Sequence, residues 1–209
     1  MNPGAADPFL AVEGWDDSTA QQWADVLELR ATNPSQIQLR ADLIAAARLT
    51  PGDTVVEVGC GTGITLAELA AAVGPAGRAL GFEPQPMFAR LARQRLAERR
   101  LSQASVEIGT AEAIPLGDAT VDAAVAQTVL VHVPRAAGLG DVTVSMRCHL
   151  ETEPGNFLHA VVLHLAESAL EMGVVSDAEW RRWTGALAEL AETGSFFAST
   201  NYYLCSGVR

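Results

Sequence analysis

Val55-Val56-Glu57-Val58-Gly59-Cys60-Gly61-Thr62-Gly63 is the stretch whose reading decides the fold. An apolar, β-branched run ends in three glycines at alternate positions, and the apolar stretch from Ile64 to Val73 follows at once. That is the pattern of a buried strand, a tight turn and a helix. A turn leaving the carboxyl end of a strand needs backbone freedom, and a missing Cβ lets a ligand lie against the main chain. The helix start behind the turn offers unpaired N–H groups to something polar or anionic. The stretch therefore reads as a loop for a nucleotide-type cofactor. The plain alternative is an ordinary glycine-rich turn with no ligand.

Outward from the loop, strands and helices alternate. Pro51-Gly52-Asp53 turns into the central strand. Arg78 to Phe82 forms a short strand, Pro86 to Arg100 a helix, Ser105 to Ile108 a strand, and Val121 to Leu130 a further strand with its exit. A βαβαβ succession implies parallel strands joined by right-handed crossovers, hence an α/β, Rossmann-like, doubly wound sheet. Ahead of the loop, residues 1–16 form an irregular arm. Asp17 or Ser18 caps a helix to about Arg30, with Trp23, Leu27 and Ala31 on one stripe. Asn33-Pro34-Ser35 ends it and caps a second helix, whose Ile37, Ala41, Ile44 and Ala45 share a face. Packing accounts for the second helix. For the first, together with Trp15, a lid over the cofactor is the alternative.

Composition narrows the function. With 209 residues and 49% apolar content the chain suffices for one well-cored domain. A net charge of −11 argues against nucleic acid or an anionic membrane surface as partner. Every basic residue is arginine. Cys60, Cys148 and Cys205 suggest neither a disulfide framework nor a zinc site, and no other metal is expected. No leader-like amino terminus and no run of transmembrane length is evident, so a cytoplasmic protein is expected.

Residues 39–134 carry four landmarks in order: Glu57 to Gly63, Gly81-Phe82-Glu83-Pro84, Gly109-Thr110-Ala111-Glu112-Ala113-Ile114-Pro115-Leu116, and Gln127-Thr128-Val129-Leu130-Val131-His132-Val133-Pro134. Together they resemble the class I S-adenosylmethionine-dependent methyltransferases, in particular the ubiquinone/menaquinone-biosynthesis-like small-molecule methyltransferases. The resemblance implies S-adenosylmethionine as cofactor, S-adenosylhomocysteine as product and a small-molecule acceptor. It also implies roles at individual positions. Glu57 belongs to the cofactor motif, and Gly59, Gly61 and Gly63 would face the methionine part. Glu83 would accept from the ribose hydroxyls. Met87, read from its place on the helix after the second strand, is a candidate for the adenine face, with a core methionine as the alternative. Ala111 would meet adenine N1, and Gln127 would lie beside the methionine head group. Arg40 stands where some relatives carry a basic residue near the cofactor carboxylate. His132 is the first candidate for a catalytic base, and a packing histidine is the alternative.

The chain departs from that family twice. Thr110 stands where relatives have an Asp that accepts from the adenine amino group, and Glu112 is the candidate substitute. After Pro134, Arg135-Ala136-Ala137-Gly138-Leu139-Gly140-Asp141-Val142 leads straight towards a last part, with no room for a crossover and a fifth strand. Val142, Val144, Met146 and Cys148 alternate with polar residues as a strand, and Asn156 to Met172 is helical. Ser176 and Glu179 form a capping box before a helix with Trp180, Trp183, Leu187 and Leu190 on one stripe. Phe196 to Val208 closes as an antiparallel strand, expected beside the fourth. The fifth-strand unit is thus read as missing. The whole, residues 1–209, is read as a single methyltransferase-like domain. It comprises a helical lid or cap (1–50), a cofactor-binding core (51–134) and a strand-helix-helix-strand part (135–209).

The leading function is methyl transfer from S-adenosylmethionine to a small molecule. A non-catalytic or degenerate S-adenosylmethionine-binding module is the competing reading, motivated by Thr110 and the shortened core. An NAD-dependent dehydrogenase is disfavoured by the loop spacing, which is not G-x-G-x-x-G, and by the absence of lysine.

Overall fold

A computed structural model describes residues 12–111, 113–117, 119–129 and 140–208. Four parallel strands form the main sheet: β1 (Thr54–Val58), β2 (Arg78–Glu83), β3 (Ala104–Ile108) and β4 (Ala123–Val125), in the order β3-β2-β1-β4. Val55 stands opposite Ala79 on one side and Ala123 on the other, so β1 is central. The helices are α1 (Asp17–Thr32), α2 (Pro34–Ala46), α3 (Ile64–Val73), α4 (Pro86–Glu98), α5 (Phe157–Glu171) and α6 (Asp177–Glu192). The α/β architecture with a parallel central sheet is as expected from the sequence.

The core lies where α3 and α4 cover the sheet. Val55, Leu66, Leu69 and Val73 are fully buried, with Ala89 and Ala92 of α4 against them. Burying each such leucine stabilises the fold by roughly 2 kcal/mol. Local chemistry sets the helix ends. Asp16, rather than Asp17 or Ser18, caps α1 by accepting from Thr19 N. Asn33 caps α2 by accepting from Ser35 N, with Pro34 as its first residue. Ser176 and Glu179 form the expected capping box on α6.

Two expectations from the sequence are corrected. The strand read from Val121 to Leu130 is only β4. The Asp122 side chain accepts from Thr54 N while Asp122 N donates to Thr54 O, fixing the start, and Thr128 at φ 58 is incompatible with an extended run. Second, the last strand does not join β4. Strand β6 (Ala198–Val208) pairs antiparallel with β5 (Gly140–Glu151) in a separate two-stranded sheet. The physical reason is ladder length: β5 satisfies β6 from Gly140↔Val208 to Glu151↔Ala198, whereas β4 offers three residues. No fifth parallel strand occurs among the described residues. The stripe on α6 lies outside the core. None of its described residues is buried, and Trp183 and Leu190 are exposed.

Candidate active site

The site is assembled at the carboxyl ends of β1, β2 and β4. The sheet order reverses there: β2 lies on one side of β1 and β4 on the other, which leaves a crevice outside the strand ends. A cavity of about 500 Å³ occupies this crevice. It is lined by Glu57 to Thr62 with Ile64 and Thr65, by Glu83, Pro84, Thr110 and Ala111 beyond β2 and β3, and by Gln127 to Val129 beyond β4. Trp23, Val26, Leu27 and Arg30 of α1, with Phe157 and Val161 of α5, close over it.

The glycine loop is positioned by its backbone. Gly59 N and Cys60 N both donate to Phe82 O, at 2.8 and 3.1 Å, which ties the loop to β2. Gly61 N donates to Glu83 Oε2 at 2.8 Å, and Gln85 N donates to Glu83 Oε1 at 2.9 Å. Each Glu83 oxygen therefore holds one N–H and retains lone-pair capacity for a further donor. The glycines divide their work. Gly59 and Gly61 line the cavity. Gly63, which the resemblance placed against the methionine part, is not among the lining residues. A Cβ there would meet Ala92 Cβ at 2.7 Å and Ala92 Cα at 2.9 Å, so Gly63 serves the close packing of α3 on α4.

Three polar atoms in the cavity wall are buried and find no hydrogen-bond partner among the described residues: Thr62 Oγ1, Glu57 Oε2 and Gln127 Nε2. The last two are complementary in kind. Thr65 Oγ1 donates to Gln127 Oε1 at 2.9 Å, which fixes the amide with its NH₂ as the spare group. Buried polar groups are normally paired, so three such atoms on one cavity point to a polar ligand. Arg40 also lines the cavity but is committed elsewhere. Its Nε contacts Glu68 at 3.1 Å and both terminal nitrogens donate to Ala31 O. Met87 is buried in the first turn of α4 and is not among the lining residues, whereas Phe88 is. His132 and Glu112 lie outside the described residues.

Burial lifts the Glu83 carboxyl from 4.5 to about 7, against the opposing N–H bonds from Gln85 and Gly61. Glu57 lies well above the usual carboxylate range. Burial is the main cause, and the charges of Glu83 and Glu68 add to it. Each group thus keeps its proton in the folded chain at pH values where the unfolded chain has lost it. Stability is full below the unfolded value and falls as pH rises. For Glu83 the fall spans pH 4.5 to about 7 and amounts to about 3 kcal/mol. Urea midpoints are expected to decrease over that window, with a shallower decrease in Glu83→Gln. A midpoint constant from pH 5 to pH 8 would contradict it.

The sequence reading missed several members of the site. Thr65 and Arg30 carried no spacing cue. Phe157 and Val161 reach the cavity from a helix nearly a hundred residues beyond the loop. Gln85 carried one usable signal, a polar residue directly before Pro86 where a helix starts.

Comparison with known proteins bears on this arrangement. The methyltransferase domain family matches residues 55–152. An uncharacterised 37.1 kDa protein in a Streptomyces fradiae transposon is 31% identical over 117 residues, 56% of this chain and 33% of that protein. An arsenite methyltransferase of Halobacterium salinarum is 27% identical over 99 residues, 47% of this chain and 25% of that protein. The chain thus spans a third or less of the length of these curated relatives. Among solved structures, the [4+2]-cyclase SpnF gives a TM-score of 0.47 at 15% identity, covering 83% of this chain and 81% of that one. A SAM-dependent methyltransferase from Aquifex aeolicus gives 0.44 at 22% identity, covering 66% and 75%. The methyltransferase-domain match over residues 55–152 contains the glycine loop, Glu83, Thr110 and Gln127.

Proposed function

We propose that the chain transfers a methyl group from S-adenosylmethionine to a small-molecule acceptor and releases S-adenosylhomocysteine. The observation that carries this reading is the pair of unpartnered, complementary atoms, Glu57 Oε2 and Gln127 Nε2, in the cavity that Glu83 closes at its other end. They suit the ammonium and carboxylate of an amino-acid head group, and the Glu83 oxygens suit a vicinal diol. Glu57 would accept from the ammonium and Gln127 would donate to the carboxylate. Thr110 and Ala111 stand at the end where a base attached to that ribose would lie. The cofactor, when bound, supplies a sulfonium whose methyl carbon is already electrophilic.

What remains for the protein is alignment and the exclusion of water. Trp23, Leu27 and Phe157 provide an apolar roof for both tasks. His132 stays the sequence-based candidate for a base, and the acceptor is proposed to be a small molecule that enters under that roof. No described helix is long and apolar enough to cross a membrane.

The test is calorimetric titration of the 209-residue chain with S-adenosylmethionine, S-adenosylhomocysteine and NAD. Dissociation constants of about 1–100 μM for the first two, without NAD binding, are expected. NAD binding alone would overturn the reading in favour of a dehydrogenase. One specific feature, the outer edge of β4 that no described strand covers, favours the second reading of binding without turnover. Methyl transfer to any member of an acceptor panel rules that reading out.

A further inference from the structure

We infer that Gln85 is a positioning residue that straps the segment ahead of α1 over the cavity and thereby sets how long an adenosyl ligand stays bound. The inference rests on the cofactor reading given above. Gln85 is 2% exposed, and each of its polar groups serves a different element. Its backbone N–H donates to Glu83 Oε1 at 2.9 Å. Its side-chain Oε1 accepts from Met87 N at 2.6 Å and so caps α4. Its Nε2 donates to Val12 O at 3.1 Å and lies 3.5 Å from Trp15 O. A cap needs only a short side chain with an acceptor, which serine supplies. The reach to Val12 and Trp15 is what glutamine adds.

The segment it fastens belongs to the cavity wall. Val12 and Glu13 line the cavity beside Glu83 and Phe88. Val12 packs with Ala24 and Phe88, and Trp15, Trp23 and Leu27 surround them. Trp15 stacks on Trp23 at 5.9 Å and meets Phe88 edge-on at 6.1 Å. The body of α1 has its own anchor, since Arg95 pairs with Glu28 and donates to Thr62 O. Releasing the Gln85 amide therefore loosens the leading segment while α1 stays docked. One residue thus joins the carboxylate at the ribose end, through its backbone N–H, to the strap that covers it, through its side-chain amide.

The discriminating variant is Gln85→Ser in the full chain, which keeps the cap and gives up the reach. With S-adenosylhomocysteine as probe and tryptophan fluorescence as readout, the dissociation rate is expected to rise about tenfold while the association rate changes less than about twofold. The pH dependence of binding should not move, because the Gln85 backbone N–H to Glu83 is retained. Proteolysis ahead of α1 in the unliganded chain should quicken. An unchanged dissociation rate overturns the inference. So does a pH profile that shifts with affinity, since Gln85 would then merely support the Glu83 corner. Should the unaltered chain bind no S-adenosylhomocysteine, it is the cofactor reading that fails. The strap is then judged by proteolysis alone, and equal cleavage rates in the two chains overturn it.

Discussion

Glu83→Ala is expected to weaken S-adenosylhomocysteine binding by roughly a hundredfold or more, beyond what a calorimeter resolves from a micromolar start. Two hydroxyl donors on one carboxylate make charge-assisted bonds, each worth about 1.5–3 kcal/mol. Alanine removes both and also orphans Gly61 N and Gln85 N, which donate to Glu83 in the folded chain. The pH dependence separates these effects. Glu83 ionises only at about pH 7 in the folded chain, because burial holds the proton on. A ligand that needs the carboxylate must therefore drive off that proton at lower pH, and affinity should fall by up to about tenfold per pH unit below 7. Glu83→Gln should bind weakly and show a flat profile. Binding by Glu83→Ala within about threefold of the unaltered chain would remove Glu83 from the ligand site.

The parts legible in the sequence were those fixed by local chemistry. Glycines on alternate positions after a β-branched run could hardly be anything but a strand leaving into a turn, and Glu83 at the end of the next strand follows from the parallel register of β1 with β2. Asn33-Pro34 and Ser176 with Glu179 announce helix starts through bonds made within a few residues. What could not be read depends on contacts between distant segments. Val142 to Cys148 and the closing run both alternate, but alternation gives a strand its faces and leaves its partner open. The two strands paired with each other, and β4 stayed short. The sequence offers the first helix as a lid, but the α5 part of the cavity wall was hidden for the same reason. Phe157 on α5 and Trp23 on α1 share a wall only because both helices pack over the strand ends. Met87 and Phe88 show how fine the limit is. The sequence offers Met87 for the adenine face or the core; Met87 is buried away from the cavity lining, and Phe88, one residue along α4, stands in the wall instead.

Gly63→Val should destabilise the fold by about 4 kcal/mol, enough to leave much of a marginally stable chain unfolded. Two costs add. Gly63 holds φ at 79°, where a β-branched side chain is strained. Its Cβ would also lie 2.9 Å from Ala92 Cα, a backbone atom that cannot turn aside. Gly173 isolates the first cost, since its φ is 66° and nothing lies within 4 Å of the position a Cβ would take. Gly173→Ala should therefore lower stability by only about 1 kcal/mol. Ala92→Gly tests the second cost. Combined with Gly63→Ala it removes the contact at 2.7 Å but not the one to Cα, so partial recovery relative to Gly63→Ala alone is expected in urea titrations. Full additivity of the two substitutions would mean that α3 and α4 do not meet at this point. The third glycine of the loop would then belong to the ligand after all, and the division that sets Gly59 and Gly61 beneath the cavity and Gly63 between the helices would have to be redrawn.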